Sequence, residues 1–277
     1  MKNVLLTGSE GFIGSRLLYT IPSRNINYVG YDILKGQDIR DRFKLEMAVE
    51  LNNIDTIINL AARTGVKYGE RYAKEYFDTN VFGLSNVIAV AEKHKCRLIH
   101  FSSSSVFKQS DKSLKEDDIK EPVSVYGITK LAGEMLIKKS ACDWTIIRPF
   151  TVIGENGRKG MLIDRWKEQF RRGDPVSFYG DGTTYRGYTY IQDLIDGVLA
   201  SKLGDYNLGG NQVITLNEMW EIFKSVNPKA DRMQWPLPSY DVARSVADCS
   251  KARQEFGWEH KTDIREKLRQ LCAVDEK

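Results

Sequence analysis

Met1-Lys2-Asn3-Val4-Leu5-Leu6-Thr7-Gly8-Ser9-Glu10-Gly11-Phe12-Ile13-Gly14 opens the chain, and Asp32 follows eighteen residues after the last of these glycines. A short apolar run, a glycine-rich turn and an amphipathic stretch, in that order, spell strand, loop and helix. Gly8 can take the backbone angles of a tight turn, and Gly11 lets the main chain approach a pyrophosphate. Gly14 lets the helix pack closely on the strand. The helix that begins near Phe12 points free N–H groups and the positive end of its dipole at the phosphates. Asp32 closes a second apolar run, Ile26 to Tyr31, where its carboxylate can accept hydrogen bonds from both hydroxyls of an adenosine ribose. A 2′-phosphate would be repelled there, so the pattern selects NAD over NADP.

Working outward, short β-branched runs alternate with longer helical patterns through the first half. Val4–Leu6, Tyr28–Tyr31, Thr56–Leu60, Leu98–Ser102 and Trp144–Arg148 read as strands. Phe12–Ile21, Phe43–Leu51, Glu70–Lys93 and Val125–Lys139 read as the helices between them. This alternation predicts an α/β fold, a Rossmann-type doubly wound parallel sheet with right-handed crossovers. Its ligand belongs outside the carboxyl ends of the strands. After Pro149 glycines crowd the stretch from Gly154 to Gly182, which reads as a loop-rich region. Thr215–Val226, Ser250–Phe256 and Asp263–Cys272 read as helices again. We therefore expect residues 1–150 to bind the dinucleotide and a smaller region, 151–277, to bind substrate. Segments near 187–200 are expected to return to the first domain.

The 277 residues carry a net charge of +4, with 42% hydrophobic and 28% charged content. That balance is ordinary for a globular chain and far from a nucleic-acid-binding signature. No apolar run approaches the ~20 residues of a membrane span, so no membrane partner is expected. Four scattered cysteines and three histidines show no metal-ligand spacing, and no metal is expected. Without a basic-then-apolar leader pattern, the expected location is cytoplasmic.

Tyr126 and Lys130 are four residues apart, one turn from each other on a shared helix face. A tyrosine titrates near ~10. A neighbouring cation would favour its phenolate and bring it into the range of a general base. The spacing alone decides little, because Tyr31 and Lys35 repeat it around Asp32. Position is what distinguishes Tyr126. It begins a helix just after Ser102-Ser103-Ser104-Ser105, which ends an apolar strand, and a serine there can donate to a substrate oxygen.

At this point the chain resembles an extended short-chain dehydrogenase/reductase of the sugar-nucleotide epimerase/dehydratase family. The matching stretches are Thr7–Gly14, Asp38–Ile39, Asn59–Ala62, Thr79–Gly83, Ser102–Phe107, Pro122–Lys130, Arg148–Phe150 and Tyr179–Gly182. Arg186, Asp193, Tyr206–Gly209, Ser250–Ala252 and Phe256–Trp258 complete the set. The resemblance implies a catalytic triad of Ser103, Tyr126 and Lys130. It implies NAD held by Gly8, Gly11, Phe12, Ile13, Asp32, Asp38, Ile39, Leu60, Ala61, Ala62, Ser102, Tyr126, Lys130 and Pro149. Asn80, Ser103, Thr151, Arg186 and Asp241 would meet a nucleotide-sugar substrate, with Arg186 on its diphosphate. The resemblance also implies a homodimer packed through helices 70–93 and 125–139.

The sequence departs from that pattern in informative places. The tyrosine and glycine usual after the serine run are Phe107 and Lys108 here. Ser104 and Ser105 stand where 4,6-dehydratases carry an aspartate–glutamate pair, so the acid that protonates a departing hydroxyl is missing. Thr151 replaces an asparagine. Pro238 stands where a second phosphate-binding arginine usually precedes the aspartate, here Asp241, and Arg244 or Arg232 is the candidate substitute. The expected activity is NAD-dependent epimerisation of a nucleotide sugar at carbon 4. The alternatives are an NAD(P)H-dependent reductase of a 4-keto-6-deoxy nucleotide sugar and, with the tyrosine and lysine both present arguing against it, a non-catalytic sensor on the same scaffold.

Overall fold

The strands β1 (Asn3–Thr7), β2 (Asn27–Tyr31), β3 (Thr56–Asn59), β4 (Arg97–Phe101) and β5 (Trp144–Pro149) join the strand Gly204–Leu208 in one sheet. Across it the order is Gly204–Leu208, β5, β4, β3, β1, β2, and every pairing is parallel. The computed structural model describes residues 1–158, 160–238 and 241–274. Winding reverses between β1 and β3, which opens a crevice at their carboxyl ends, the place where ligands bind to sheets of this kind.

Side chains alternate across the sheet, and both faces are covered. Val4, Leu6, Ile58 and Ile99 face the helices Phe12–Thr20 and Ile191–Ala200 through Leu17, Leu194, Ile195 and Val198. Leu5, Ile57, Leu98 and Ile146 face Leu45, Val49, Leu84, Val87 and Ile137 on the other side. The helix Ile191–Ala200 and the strand Gly204–Leu208 thus pack with the first half of the chain, as do Ala252 and Trp258.

A separate core forms within the later segments from Trp166, Val176, Phe178, Met219, Trp220, Phe223, Ile264 and Leu268. Trp166 is wholly buried at its centre. Its ring lies edge-on to Trp220 at 6.0 Å and to Phe223 at 5.4 Å, and its indole N–H donates to the Ser177 carbonyl at 2.8 Å. Trp166 belongs to a helix, Leu162–Arg171, inside the stretch expected to be loop-rich. Gly157 and Gly173 only flank it; the second, with φ +77°, is the left-handed residue that follows its end.

The expected helix 70–93 is divided. The structure has Val66–Arg71, Ala73–Phe77, a π-helical turn Asp78–Gly83 and Leu84–His94. Tertiary contacts explain the divisions. The Tyr76 hydroxyl lies 2.7 Å from the carbonyls of both Thr64 and Gly65, and the wide turn aims Asn80 inward. The later helices fall where expected: Leu216–Val226 has a Thr215–Glu218 capping box, and Ile264–Cys272 is capped by Asp263. Among the described residues no helix is long and apolar enough to cross a membrane, and no cluster of His, Cys, Asp and Glu could hold a metal.

Candidate active site

A cavity of about 720 Å³ lies at the crevice between β1 and β3. Gly8, Gly11, Phe12 and Ile13 form its floor, with Asp32, Asp38 and Ile39 at one end and Leu60, Ala61 and Ala62 along the side. The floor has no room for side chains. A Cβ on Gly8 (φ +71°) would lie 2.8 Å from the Ala61 nitrogen, and one on Gly14 would lie 2.1 Å from the Gly8 carbonyl oxygen. Gly11 caps the helix Phe12–Thr20 without any side-chain acceptor, so the first N–H groups of that helix face the cavity. Asp32 is held rigidly, accepting from the Glu10 N–H at 2.9 Å and the Leu34 N–H at 2.9 Å. Asp38 is tied instead to Arg40, whose hydrogen bonds hold its carboxyl below the usual range. A narrow glycine floor, a helix N-terminus and a fixed carboxylate fit a dinucleotide.

Ser103, Tyr126, Pro149, Thr151, Arg186 and Asp241 also line the cavity. Ser102, Asn80 and Lys130 lie behind its wall. Asn80 accepts from the Arg63 N–H at 2.7 Å and donates to the Arg63 carbonyl and Thr129 Oγ1, both at 3.0 Å. It therefore fixes the loop after β3 rather than facing the cavity. Ser102 donates to Glu134 at 2.5 Å, and Glu134 in turn receives the fully buried Arg148. Lys130 is buried, and its ammonium donates to the Phe101 carbonyl at 2.7 Å. Burial lowers its pKa to about 8.

Ser103 Oγ is bonded to Ser105, donating to its Oγ at 3.1 Å and accepting its N–H at 3.1 Å, and it faces the Tyr126 phenol. Sequence reasoning expects a lowered phenol pKa, but burial raises it in the free protein. What opposes burial is the nearby Ser103 hydroxyl and the positive charge of Arg158, since Lys130 is turned toward Phe101. Arg158 carries no local signal in the sequence, standing between Gly157 and Lys159 in a glycine-rich stretch. In the fold it lines the cavity, and its Nη1 donates to Thr64 Oγ1 at 2.5 Å, bridging the crevice. A second cavity of about 590 Å³ continues beyond Arg158, Thr151 and Arg186 toward Tyr179 and Leu237.

A glycine-floored cavity that runs into a serine–tyrosine–arginine site invites comparison with known proteins. Residues 4–209 match the model of the NAD-dependent epimerase/dehydratase family. The chain belongs to that family. It is 31% identical to a UDP-glucuronate 4-epimerase of Thermodesulfobacterium geofontis over 89% of this chain and 78% of that protein. Among solved structures it resembles a UDP-glucuronic acid 4-epimerase from Bacillus cereus in complex with UDP-glucuronic acid and NAD. There the TM-score is 0.89 at 26% identity, covering 98% of each chain. A UDP-glucose 4-epimerase with UDP-glucose from Thermotoga maritima gives a TM-score of 0.90 at 25% identity, covering 98% of this chain and 97% of that one.

The departures from the epimerase/dehydratase pattern now have locations. Phe107 needs no hydroxyl partner, because its ring lies between the Arg148 and Lys120 cations at 5.4 and 5.2 Å and beside Phe150. Arg232 lies 4.3 Å over the Phe178 ring and is absent from the linings of both cavities. Arg244 reaches the first cavity, but the strand register pairs it with Tyr185, whereas Arg186 pairs with Ser245. Alternation along a strand places Arg244 on the face opposite Arg186. Arg186 itself donates to Asp241 at 2.8 Å and to the Val242 carbonyl at 2.6 Å.

Proposed function

We propose that this protein is an NAD-dependent 4-epimerase of a UDP-sugar, with UDP-glucuronate as its substrate. The observation that carries the reading is one continuous crevice in which the glycine floor and Asp32 lead directly to Ser103, Tyr126 and Arg158. When bound, NAD supplies the acceptor and then the donor of hydride at sugar carbon 4. Its adenosine ribose meets Asp32, and its pyrophosphate meets the N-terminus of the helix Phe12–Thr20. Ser103, Tyr126 and Lys130 are the catalytic residues. Tyr126 takes the proton of the 4-hydroxyl and later returns it, while Ser103 holds the same oxygen. Lys130 anchors the helix at the Phe101 carbonyl, behind the cavity wall, and would hold the nicotinamide ribose from there.

Arg158 supports the choice of a uronate. Its planar guanidinium stands near Tyr126, where the sugar must lie, and suits a carboxylate. Arg186 and Asp241 mark the diphosphate end, with the base in the second cavity, so residues 151–277 supply most of the substrate contacts. Exposed Tyr72, Phe82, Ile128, Met135 and Leu136 lie on the elements expected to form a homodimer, and we extend the proposal to that assembly and to a cytoplasmic location.

The test is incubation of the purified protein with UDP-glucuronate or UDP-glucose, without added cofactor, followed by proton NMR of the anomeric region. Inversion at carbon 4 of the uronate supports the proposal. Turnover only of a 4-keto sugar nucleotide, with NADPH consumed, replaces it with the reductase.

A further inference from the structure

The second tyrosine–lysine pair of the sequence is Tyr31, which lines the far end of the same crevice, and Lys35, which stands beside it. Tyr31 is buried, and its hydroxyl donates to the Asp38 carbonyl at 3.1 Å. Lys35 is turned to Glu10, with Nζ 2.7 Å from Oε1. Glu10 occupies the variable place before Gly11 in the glycine turn, lines the cavity and presents its own N–H to Asp32. Glu10 and Asp32 thus line the cavity where the 2′ oxygen of an adenosine ribose would lie, and the Lys35 ammonium stands against Glu10 within the field of both. Their sum is −1. Neutralising Glu10 makes the sum zero and frees an ammonium beside that oxygen, and a nearby cation is how such folds accommodate a 2′-phosphate.

We infer that Glu10 is a cofactor-selectivity residue, which by holding Lys35 keeps this chain selective for the dinucleotide without a 2′-phosphate. The inference rests on the NAD reading above. Lys35 and Glu10 keep 51% and 35% of their side-chain surface in solvent, so the pair contributes little to stability, and its loss leaves the fold intact. Its effect is on the charge that an incoming phosphate meets.

Wild type, Glu10→Gln and Glu10→Gln/Lys35→Gln are each equilibrated with equimolar NAD and NADP, desalted and denatured. The released dinucleotides are counted by mass spectrometry at low and high salt. Wild type should hold NAD. In Glu10→Gln the NADP-to-NAD ratio should rise about tenfold, the scale of one charged hydrogen bond. The gain should shrink in high salt and disappear in the double variant. An unchanged ratio in Glu10→Gln, or a gain that survives removal of Lys35, overturns the inference while leaving the NAD reading in place. A wild type that holds neither dinucleotide overturns that reading and the inference together.

Discussion

Glu134 receives Arg148 through two hydrogen bonds, Oε1 from Nε at 2.8 Å and Oε2 from Nη2 at 2.7 Å, with both side chains almost fully excluded from solvent. Glu134 is one turn beyond Lys130 on the helix Val125–Lys139, and Arg148 is the next-to-last residue of β5. The pair, with Ser102 and Asp205 attached, pins the helix that carries Tyr126 to the carboxyl edge of the sheet. Removing Glu134 leaves the buried Arg148 charge with Asp205 as its remaining carboxylate partner. We expect Glu134→Ala to lower the unfolding free energy by about 3–5 kcal/mol. Glu134→Ala/Arg148→Met should lose less than the sum of its single variants in urea titrations.

Tyr126→Phe removes one hydroxyl from a ring that also packs edge-on to Tyr76 at 6.4 Å. That packing survives, so the melting temperature should stay close to wild type. Turnover should fall by roughly 10²–10⁴, the range of a positioned acid–base group. A variant retaining full turnover would remove Tyr126 from the chemistry.

Arg158→Gln deletes one of the two influences that oppose burial at Tyr126. The phenol pKa should rise further, and a smaller phenolate fraction follows at any given pH. The alkaline rise of the rate should therefore shift to higher pH. If Arg158 also meets a carboxylate, KM for UDP-glucuronate should increase while that for UDP-glucose does not. Steady-state pH profiles with both substrates separate the two effects.

Lys130 titrates at about 8 in the native state and at 10.5 as a free, solvated lysine. Between those values the unfolded chain holds a proton that the native state has released, so stability rises with pH. Below about 8 both states are protonated and the difference is flat. Relative to Lys130→Met, wild type should gain stability from pH 8 to pH 10.5 and show no trend from pH 6 to 7.5. Urea midpoints across that series give the answer.

Gly8, Gly14 and Asp32 are legible from the sequence because their requirement is local: a turn that excludes Cβ atoms and a carboxylate at a fixed remove from it. The parallel, doubly wound character of the sheet is legible as well, since alternating strands and helices call for right-handed crossovers. Asn80 is different. Its helical periodicity points to a continuous helix, but its hydrogen bonds to Arg63 and Thr129 belong to other elements and favour a π turn. Trp166 is hidden by glycines that flank a helix rather than replace it. Arg158 becomes meaningful only when the crevice closes around it, and a long-range contact with Thr64 leaves no trace in residue spacing. That Arg232 stacks on Phe178 and that Arg244 lies on the face opposite Arg186 likewise depend on packing and strand register, which spacing does not encode.

Trp166 and Trp220 cross at 83° in a core that shares no residue with the two flanking the sheet. Two indoles so close and so fixed couple optically, and the resulting near-ultraviolet circular dichroism is a built-in label for that separate core. Trp258 and Trp144 belong to the sheet cores instead. Loosening of one half is thereby visible apart from loosening of the other, with no dye or engineered probe.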